Sequence, residues 1–440
     1  MNDARHDSAA GPAAEAPAAP ARTPELAAWA LYDWANSSFP TLIQTFVFAA
    51  YFTRSVAPDE TTGTALWGYV TAAEGLVVAV LGPVLGAIAD QGRRRKPWIG
   101  AFTLVAVAAS ALLWLVEPDA AYVPLALVLV GAGTIAAEFA VIFYNAMLPD
   151  LAAPDRIGRW SGWGWALGYA GGLACLVVAL YGFVDEQAWF ALPRESAAHV
   201  RATFVLAAAW FLIFSLPLML VTRDAAGPRK ALSAATRDGL RQLADSIREI
   251  RRHAIIVRFL IARMIYVDGL ATLFAFGGVY AAGTFDMSEK QVLLFGIALN
   301  VTAGLGALGF SWMDDRAGSR ATILLSLAGL IASGATMLLV ESRAAFWAAG
   351  MVLGIFVGPV QAASRSYLAR AAPAELRTQM FGLFALSGKA TAFAGPLLVG
   401  WVTALAASQR IGMATILIFF ALGGALMLTV PEARRAQAVA

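Results

Sequence analysis

Apolar residues run along this chain in blocks of about 20 or more, parted by short polar segments. At ~1.5 Å per residue, about 20 residues cross a hydrocarbon core of about 30 Å, so each block is long enough to span a bilayer as a helix. The two-residue alternation of a membrane barrel strand is missing. Twelve spans are expected, over 26–52, 66–89, 98–116, 122–148, 161–182, 202–222, 255–282, 291–312, 321–340, 345–369, 380–404 and 411–430. One long polar segment, 223–254, parts them six and six. The expected fold class is all-α integral membrane: twelve transmembrane helices in two pseudo-symmetric six-helix bundles, 25–222 and 255–432, with tails at 1–24 and 433–440. The first tail is rich in Ala and Pro, lacks the apolar core of a cleaved leader, and reads as disordered and cytoplasmic.

Within the polar segment, "LRQLADSIREIRRH" sets Leu240, Leu243, Ile247 and Ile250 on one helical stripe, opposite Arg241, Arg248 and Arg252. It is expected to be an amphipathic helix resting on anionic lipid. Orientation follows from the 32 Lys and Arg residues. With the N-terminus inside, the inner segments hold 23, the outer loops hold six (Arg54, Arg194, Arg201, Lys290, Arg343 and Arg410), and three lie in spans. That bias puts both termini in the cytoplasm of a multi-pass inner (plasma) membrane protein.

Composition adds exclusions. Of 440 residues 59% are hydrophobic and 14% charged, against roughly a quarter charged in soluble domains. The formal net charge of +3 comes with no basic patch interleaved with aromatics, so nucleic acid is not an expected partner. The one cysteine, Cys175, and the scattered His6, His199 and His253 offer no metal cluster and no nucleophile–base set within a span. No metal, no cofactor and no enzymatic activity are expected. "SGKAT" at 387–391 imitates a nucleotide loop, but its glycine spacing is one residue too long and Ala390 replaces the needed hydroxyl, so ATP is not expected.

The halves repeat. "NAMLPDLAAPDRIGRWSGWGWALGYAGG" from 145 aligns with "RSYLARAAPAELRTQMFGLFALSGKATA" from 365 at an offset of 220. Asn145 and Arg365 become equivalents, as do Gly162 and Gly382. "GAIADQGRRRK" (86–96) after the second span has a counterpart in "DDRAGSR" (314–320) after the eighth. Parallel repeats of this kind suggest a transporter holding its substrate between the halves.

Apart from Arg258 at the inner start of the seventh span, seven full charges fall within spans: Asp33, Glu74, Glu138, Arg263, Asp268, Arg365 and Lys389. At about 2.5–3.5 kcal/mol each, facing all of them to lipid would cost roughly 20 kcal/mol, more than a typical domain's whole stability. Most must therefore face the bundle interior, a cavity or one another. Asp33, Asn36/Ser37, Pro40/Thr41 and Gln44 form one polar stripe at helical spacing, which suits a helix lining a watery cavity, although Asp33 could equally serve as a salt-bridge partner. Pro40 permits a kink. Glu138 and Asn145 share a face; Glu138 is a candidate proton carrier or a mere counter-ion. Lys389 suits a substrate carboxylate or a moving ion pair, and Glu74 reads as structural. Gly164, Gly168 and Gly172 recur every four residues, as close helix packing requires.

With these residues in view, the chain resembles the major facilitator superfamily: twelve spans, two halves, and a loop after the second span carrying Gly86, Asp90 and Arg94, echoed by Asp315 and Arg316. "LYDWANSSF", "GAIAD…RRRKPW", "FYNAMLPDL", "SGWGWALGYAGG", "RMIYVDG" and "ASRSYLAR" resemble one branch, the vacuole-effluxer-like permeases, which include fungal vacuolar amino-acid exporters. The resemblance implies a secondary carrier of a small-molecule substrate, with Asp90, Arg94 and Asp315 as inner-gate residues. The expected function is alternating-access export of a small metabolite, amino acids first, coupled to protons. Asp33, Asn36, Gln44, Glu138, Asn145, Arg263, Asp268, Arg365 and Lys389 are expected along the substrate and proton pathway. The rival reading is a non-transporting receptor or scaffold on a carrier fold.

Overall fold

The computed structural model describes residues 23–92, 94–224, 232–248 and 253–433. Nearly all of the two expected tails lies outside them, as do Arg93 and, in the polar segment, 225–231 and 249–252, which include Ile250 and Arg252 of the expected stripe. Among the described residues every regular element is a helix. The first span is a run of short pieces: α1 (Thr23–Asn36), a π-helical turn Pro40–Phe46, α2 (Phe48–Tyr51) and a second π-helical turn. Pro40 has no N–H for the preceding turn, so the α-helical ladder stops there. The first half continues with α3 (Glu60–Gly92), α4 (Lys96–Leu112), α5 (Val123–Leu151), α6 (Ile157–Ala179) and α7 (Ala198–Val221). The linker helix is α8 (Leu232–Arg248).

The second half comprises α9 (Ala254–Phe285), α10 (Glu289–Ala317), α11 (Ser319–Leu339), α12 (Arg343–Ala371), α13 (Arg377–Lys389), α14 (Ala394–Ala406) and α15 (Gln409–Leu428). The eleventh span, expected unbroken, is split between α13 and α14. Pro396 lies three residues into α14 and cannot donate back across the break. Among the described residues, ten helices are long and apolar enough to cross a membrane. The other two expected spans are the interrupted first one and α9, whose 32 residues make it about 48 Å long.

Helices α1 to α7 pack among themselves, as do α9 to α15, and the halves meet through α3 with α13, α6 with α10 and α12, and α5 with α13. One end of this bundle, called proximal here, gathers the start of α1, the end of α7 and the end of α15: Arg223 pairs with Glu25 at 3.6 Å, and Tyr367 donates to the Pro431 carbonyl at 2.8 Å. At that end the halves are jammed together. A methyl group on Gly86 would sit 2.5 Å from the Thr378 carbonyl oxygen, and one on Gly162 would sit 2.5 Å from that of Ala307. Toward the distal end of α3, Gly68 and Gly75 have open space around them. The halves are closed against each other at the proximal end.

The linker helix does not simply rest on lipid. It lies on α3, with Ala235 and Gly239 turned inward and Gly239 so close that a methyl there would meet the Ile88 backbone at 2.8 Å. Gln242 bonds to Gln91 of α3 and reaches the Glu375 carbonyl at 3.2 Å, so α8 straps the two halves at the proximal end. Of the expected stripe, Leu240 points outward, 47% exposed, and Leu243 is half-buried.

Candidate functional site

The first polar stripe meets its partner from the other half. Arg365 of α12 donates to Asp33 Oδ2 at 2.9 Å, to Asn145 Oδ1 at 3.3 Å, and to the Ser161 hydroxyl and carbonyl at 2.9 and 2.6 Å. Its guanidinium lies 5.0 Å from the Trp29 ring centre and 5.7 Å from that of Trp165. A buried guanidinium is tolerated only when its donors are met like this, with a counter-charge and π faces around it. Asn145 and Arg365 stand 220 residues apart, the repeat offset, and touch. Equivalent residues in contact put the pseudo-twofold axis between them, so this cluster sits at the centre of the molecule.

A cavity of about 280 Å³ opens beside it, lined by Asp33, Asn36, Ser37, Thr41, Asn145, Trp165, Tyr169, Asn300 and Arg365 among others. Both halves contribute. Asn36 Oδ1 is buried there with no hydrogen-bond partner. The glycine stripe of α6 makes this geometry possible: Gly164 faces Asp33 and Arg365, Gly168 faces Ser37, and Gly172 faces Thr41. A methyl at Gly172 would lie 2.6 Å from the Thr41 hydroxyl. Asn300 belongs to the small face that Gly296 and Gly304 make with it by spacing, whereas Trp165, Tyr169 and Ser161 carry no charge or spacing signal beyond the repeat and the glycine stripe around them.

The remaining charges fall elsewhere. Lys389, the last residue of α13, pairs with Glu138 of α5 at 2.9 Å, an ion pair across the halves. Gln44 lies away from the Arg365 cavity and donates to the Thr134 hydroxyl at 3.0 Å, which also faces the buried Glu74. Arg263 takes no carboxylate. It donates to the Phe384 carbonyl and the Ser387 hydroxyl, both at 2.6 Å, and stacks 3.3 Å from the Phe384 ring centre. Asp268 is buried between α9 and α14, apart from the Asp33 cluster.

The proximal closure is built from carboxylates on helix N-termini. Asp90 accepts the N–H groups of Thr378 and Gln379 at 3.0 and 2.9 Å, capping α13 of the other half. Arg95 stands 3.7 Å from Asp90 and pairs with Asp150, which also pairs with Arg377. Arg94, expected as the gate cation, is exposed instead. The register is set by Asp224, which accepts the N–H groups of Arg95 and Lys96 and so turns Arg95 inward. On the other side Asp315 accepts the N–H groups of Gly158 and Arg159 at 2.8 and 3.2 Å, capping α6. Its cation is Arg370, 2.9 Å away, which also holds Asp314 at 2.5 Å; Arg316 is exposed. Arg370 and Asp314 went unnoticed in the sequence because both lie at helix ends, where charge is unremarkable.

Residues 53–440 match the family model described as "Vacuole effluxer Atg22 like". An uncharacterized transporter of major facilitator type from Bacillus subtilis, YxiO, is 25% identical over 92% of this chain and 94% of its own length. Autophagy-related protein 22-1 of Aspergillus fumigatus is 24% identical over 63% of this chain; the match spans 49% of that longer protein. Among solved structures, the proton:xylose symporter XylE superposes with a TM-score of 0.70 at 14% identity, covering 93% of this chain and 96% of that one. The transporter FucP in its outward conformation gives 0.71 at 14%, covering 93% and 98%. Those likenesses give the fold, and the matching model gives the family: the chain belongs to the Atg22-like vacuole effluxers, multi-pass transporters of the major facilitator superfamily.

Proposed function

We propose that the chain is a secondary active transporter that exports a small zwitterionic metabolite, amino acids first, by proton-coupled alternating access across the inner (plasma) membrane, with both termini in the cytoplasm. The observation that carries this reading is the central cavity. It is small, about 280 Å³, so it fits one small solute rather than a peptide, and it presents one carboxylate and one guanidinium from opposite halves. A zwitterion placed between Asp33 and Arg365 would exchange their mutual contact for two contacts of its own. That exchange loosens the tie between the halves, as alternating access requires. The Glu138–Lys389 pair is a further tie across the halves and would part as they rock. Asp90, Arg95, Asp315 and Arg370 would hold the proximal side shut until then. The buried acids supply places for a coupling proton.

The test is uptake by proteoliposomes of the purified protein, using a labelled panel of amino acids and small peptides, with and without an imposed pH gradient, beside Asp33→Asn. Gradient-driven uptake of an amino acid that is lost in the folded variant is the expected result. Uptake indifferent to the gradient and to a protonophore removes proton coupling. A folded variant that transports normally removes Asp33 from the pathway.

A further inference from the structure

Asp268 differs from the other acids of the spans. It is 3% exposed in the middle of α9. Oδ1 accepts the N–H of Gly395 at 3.3 Å, the second residue of α14, while Oδ2 is sealed from solvent with no hydrogen-bond partner. The charged groups of the packed elements are committed elsewhere. In α13, Lys389 is on Glu138; in α12, Arg365 is on Asp33; in α15, Arg410 is on the Leu338 and Val340 carbonyls; α14 has no titratable residue. On α9 itself Arg263 turns to Phe384 and Ser387. Thr272 donates its hydroxyl to the Asp268 carbonyl at 2.7 Å, and among the described residues no group of three or more His, Cys, Asp or Glu is placed to hold a metal ion. A proton is the ligand that fits.

The element that Asp268 grips stands apart from the rest of its span. Helix α14 follows the break in the eleventh span and buries only Gly395 and Val399, while Leu397, Trp401 and Leu405 are exposed. An ionised carboxylate is attracted to a helix N-terminus and its N–H groups; a neutral carboxyl is attracted far less. We infer that Asp268 is the exchangeable-proton site of this carrier, and that its protonation releases α14, the distal half of the eleventh span, from α9. The inference deepens the proton-coupled reading above and rests on it. It differs in giving the proton to a site away from the substrate cavity and in naming the segment the proton moves.

The experiment follows α14 directly and uses no substrate, so its outcome is separate from that of the uptake assay. Cys175, the only cysteine, is replaced by Ala, and spin labels are placed at Trp401→Cys on α14 and Tyr69→Cys on α3, both exposed positions. Pulsed electron-spin distances are then read in liposomes at acid and alkaline pH. The labelled protein should show a pH-dependent shift in the distance distribution, and Asp268→Asn should hold the acid distribution at both. Glu74→Gln, which neutralises the other buried acid with an unpartnered oxygen, should keep the shift. A shift that survives Asp268→Asn, vanishes in Glu74→Gln, or never occurs overturns the proposal. If Asp268→Asn fails to fold, Asp268→Glu decides: a displaced pH midpoint supports the proposal and an unmoved one overturns it.

Discussion

At one proximal clasp Asp90 accepts the N–H groups of Thr378 and Gln379; at the other Asp315 accepts those of Gly158 and Arg159, the same two positions 220 residues earlier. Each half thus caps a helix of the other with one carboxylate. The cations do not repeat. In the first clasp the arginine is in the loop and a carboxylate, Asp150, ends α5; in the second the carboxylate Asp314 precedes the loop and the arginine, Arg370, ends α12. Asp150 and Arg370 are themselves 220 apart, so the charge at that register is inverted. What the two clasps share is therefore the carboxylate on a helix terminus; the counter-charge only has to arrive, from whichever neighbour can supply it. They differ in wetness too. Arg370, Asp314 and Asp315 expose 5% or less of their side chains, while in the first clasp Asp150 exposes 30% beside Asp90 at 1% and Arg95 at 9%.

The sharpest way to break this comparison is Arg370→Met. Asp314 would be left buried without its cation and Asp315 with Arg159 at 3.6 Å, and truncating one member of a buried ion pair costs about 3–5 kcal/mol. The purified variant should lose thermal stability by at least that scale, read as melting in detergent by tryptophan fluorescence. Arg95→Met should cost less, about 1–3 kcal/mol, because Asp150 keeps Arg377 and Asp90, which also loses Arg95, keeps the N–H groups of Thr378 and Gln379. Equal losses would show that the second clasp is no drier in practice than the first.

Next in size, Asp90→Asn and Asp315→Asn remove the charge from a helix terminus while keeping an acceptor. Each is expected to weaken proximal closure by about 1–2 kcal/mol, roughly tenfold in the open population at 1.4 kcal/mol. Thiol labelling of a cysteine at Gly82, shielded by Gly382 in the closed form, measures it. A rise for one Asn variant and none for the other would break the symmetry of the pair. Gly86→Ala, which drives a methyl into the Thr378 carbonyl, should raise labelling in the same direction. The smallest effect is expected at Arg94→Ala: the side chain is exposed, so stability should move by no more than about 0.5 kcal/mol. A large loss there would return the gate to Arg94.

That last contrast shows where the sequence is legible and where it stops. Helical phase was enough to place Asp33, Asn36, Asn145 and Arg365 together, because a stripe on one span and a repeat offset both point to the axis. It could not choose among Arg94, Arg95 and Arg93, since a loop has no phase until something pins it, and the pin is Asp224, some 130 residues away. Gln44 fell on the expected stripe but left the cavity, since the π-helical turn after Pro40 shifts the register of everything beyond it. The break before α14 was likewise hidden: Pro396 announces a weak point, but whether a helix kinks or parts there depends on what receives its freed ends, and Asp268 is far off in sequence.

Helix α8 has a consequence of a different kind. It is chained at both ends, to α7 through 223–231 and to α9 through 249–253, so it never diffuses away from the face it rests on. A tethered ligand rebinds at an effective concentration set by its tether, in the millimolar range for short ones, and weak contacts then suffice to hold it. A glycine contact and the few amide bonds of Gln242 are enough on those terms. The strap would thereby act on time rather than on place: it lengthens each stay in the proximally closed form without adding a barrier to finding it. Widening that one glycine, as in Gly239→Leu, would shorten the stay and leave the two halves otherwise untouched.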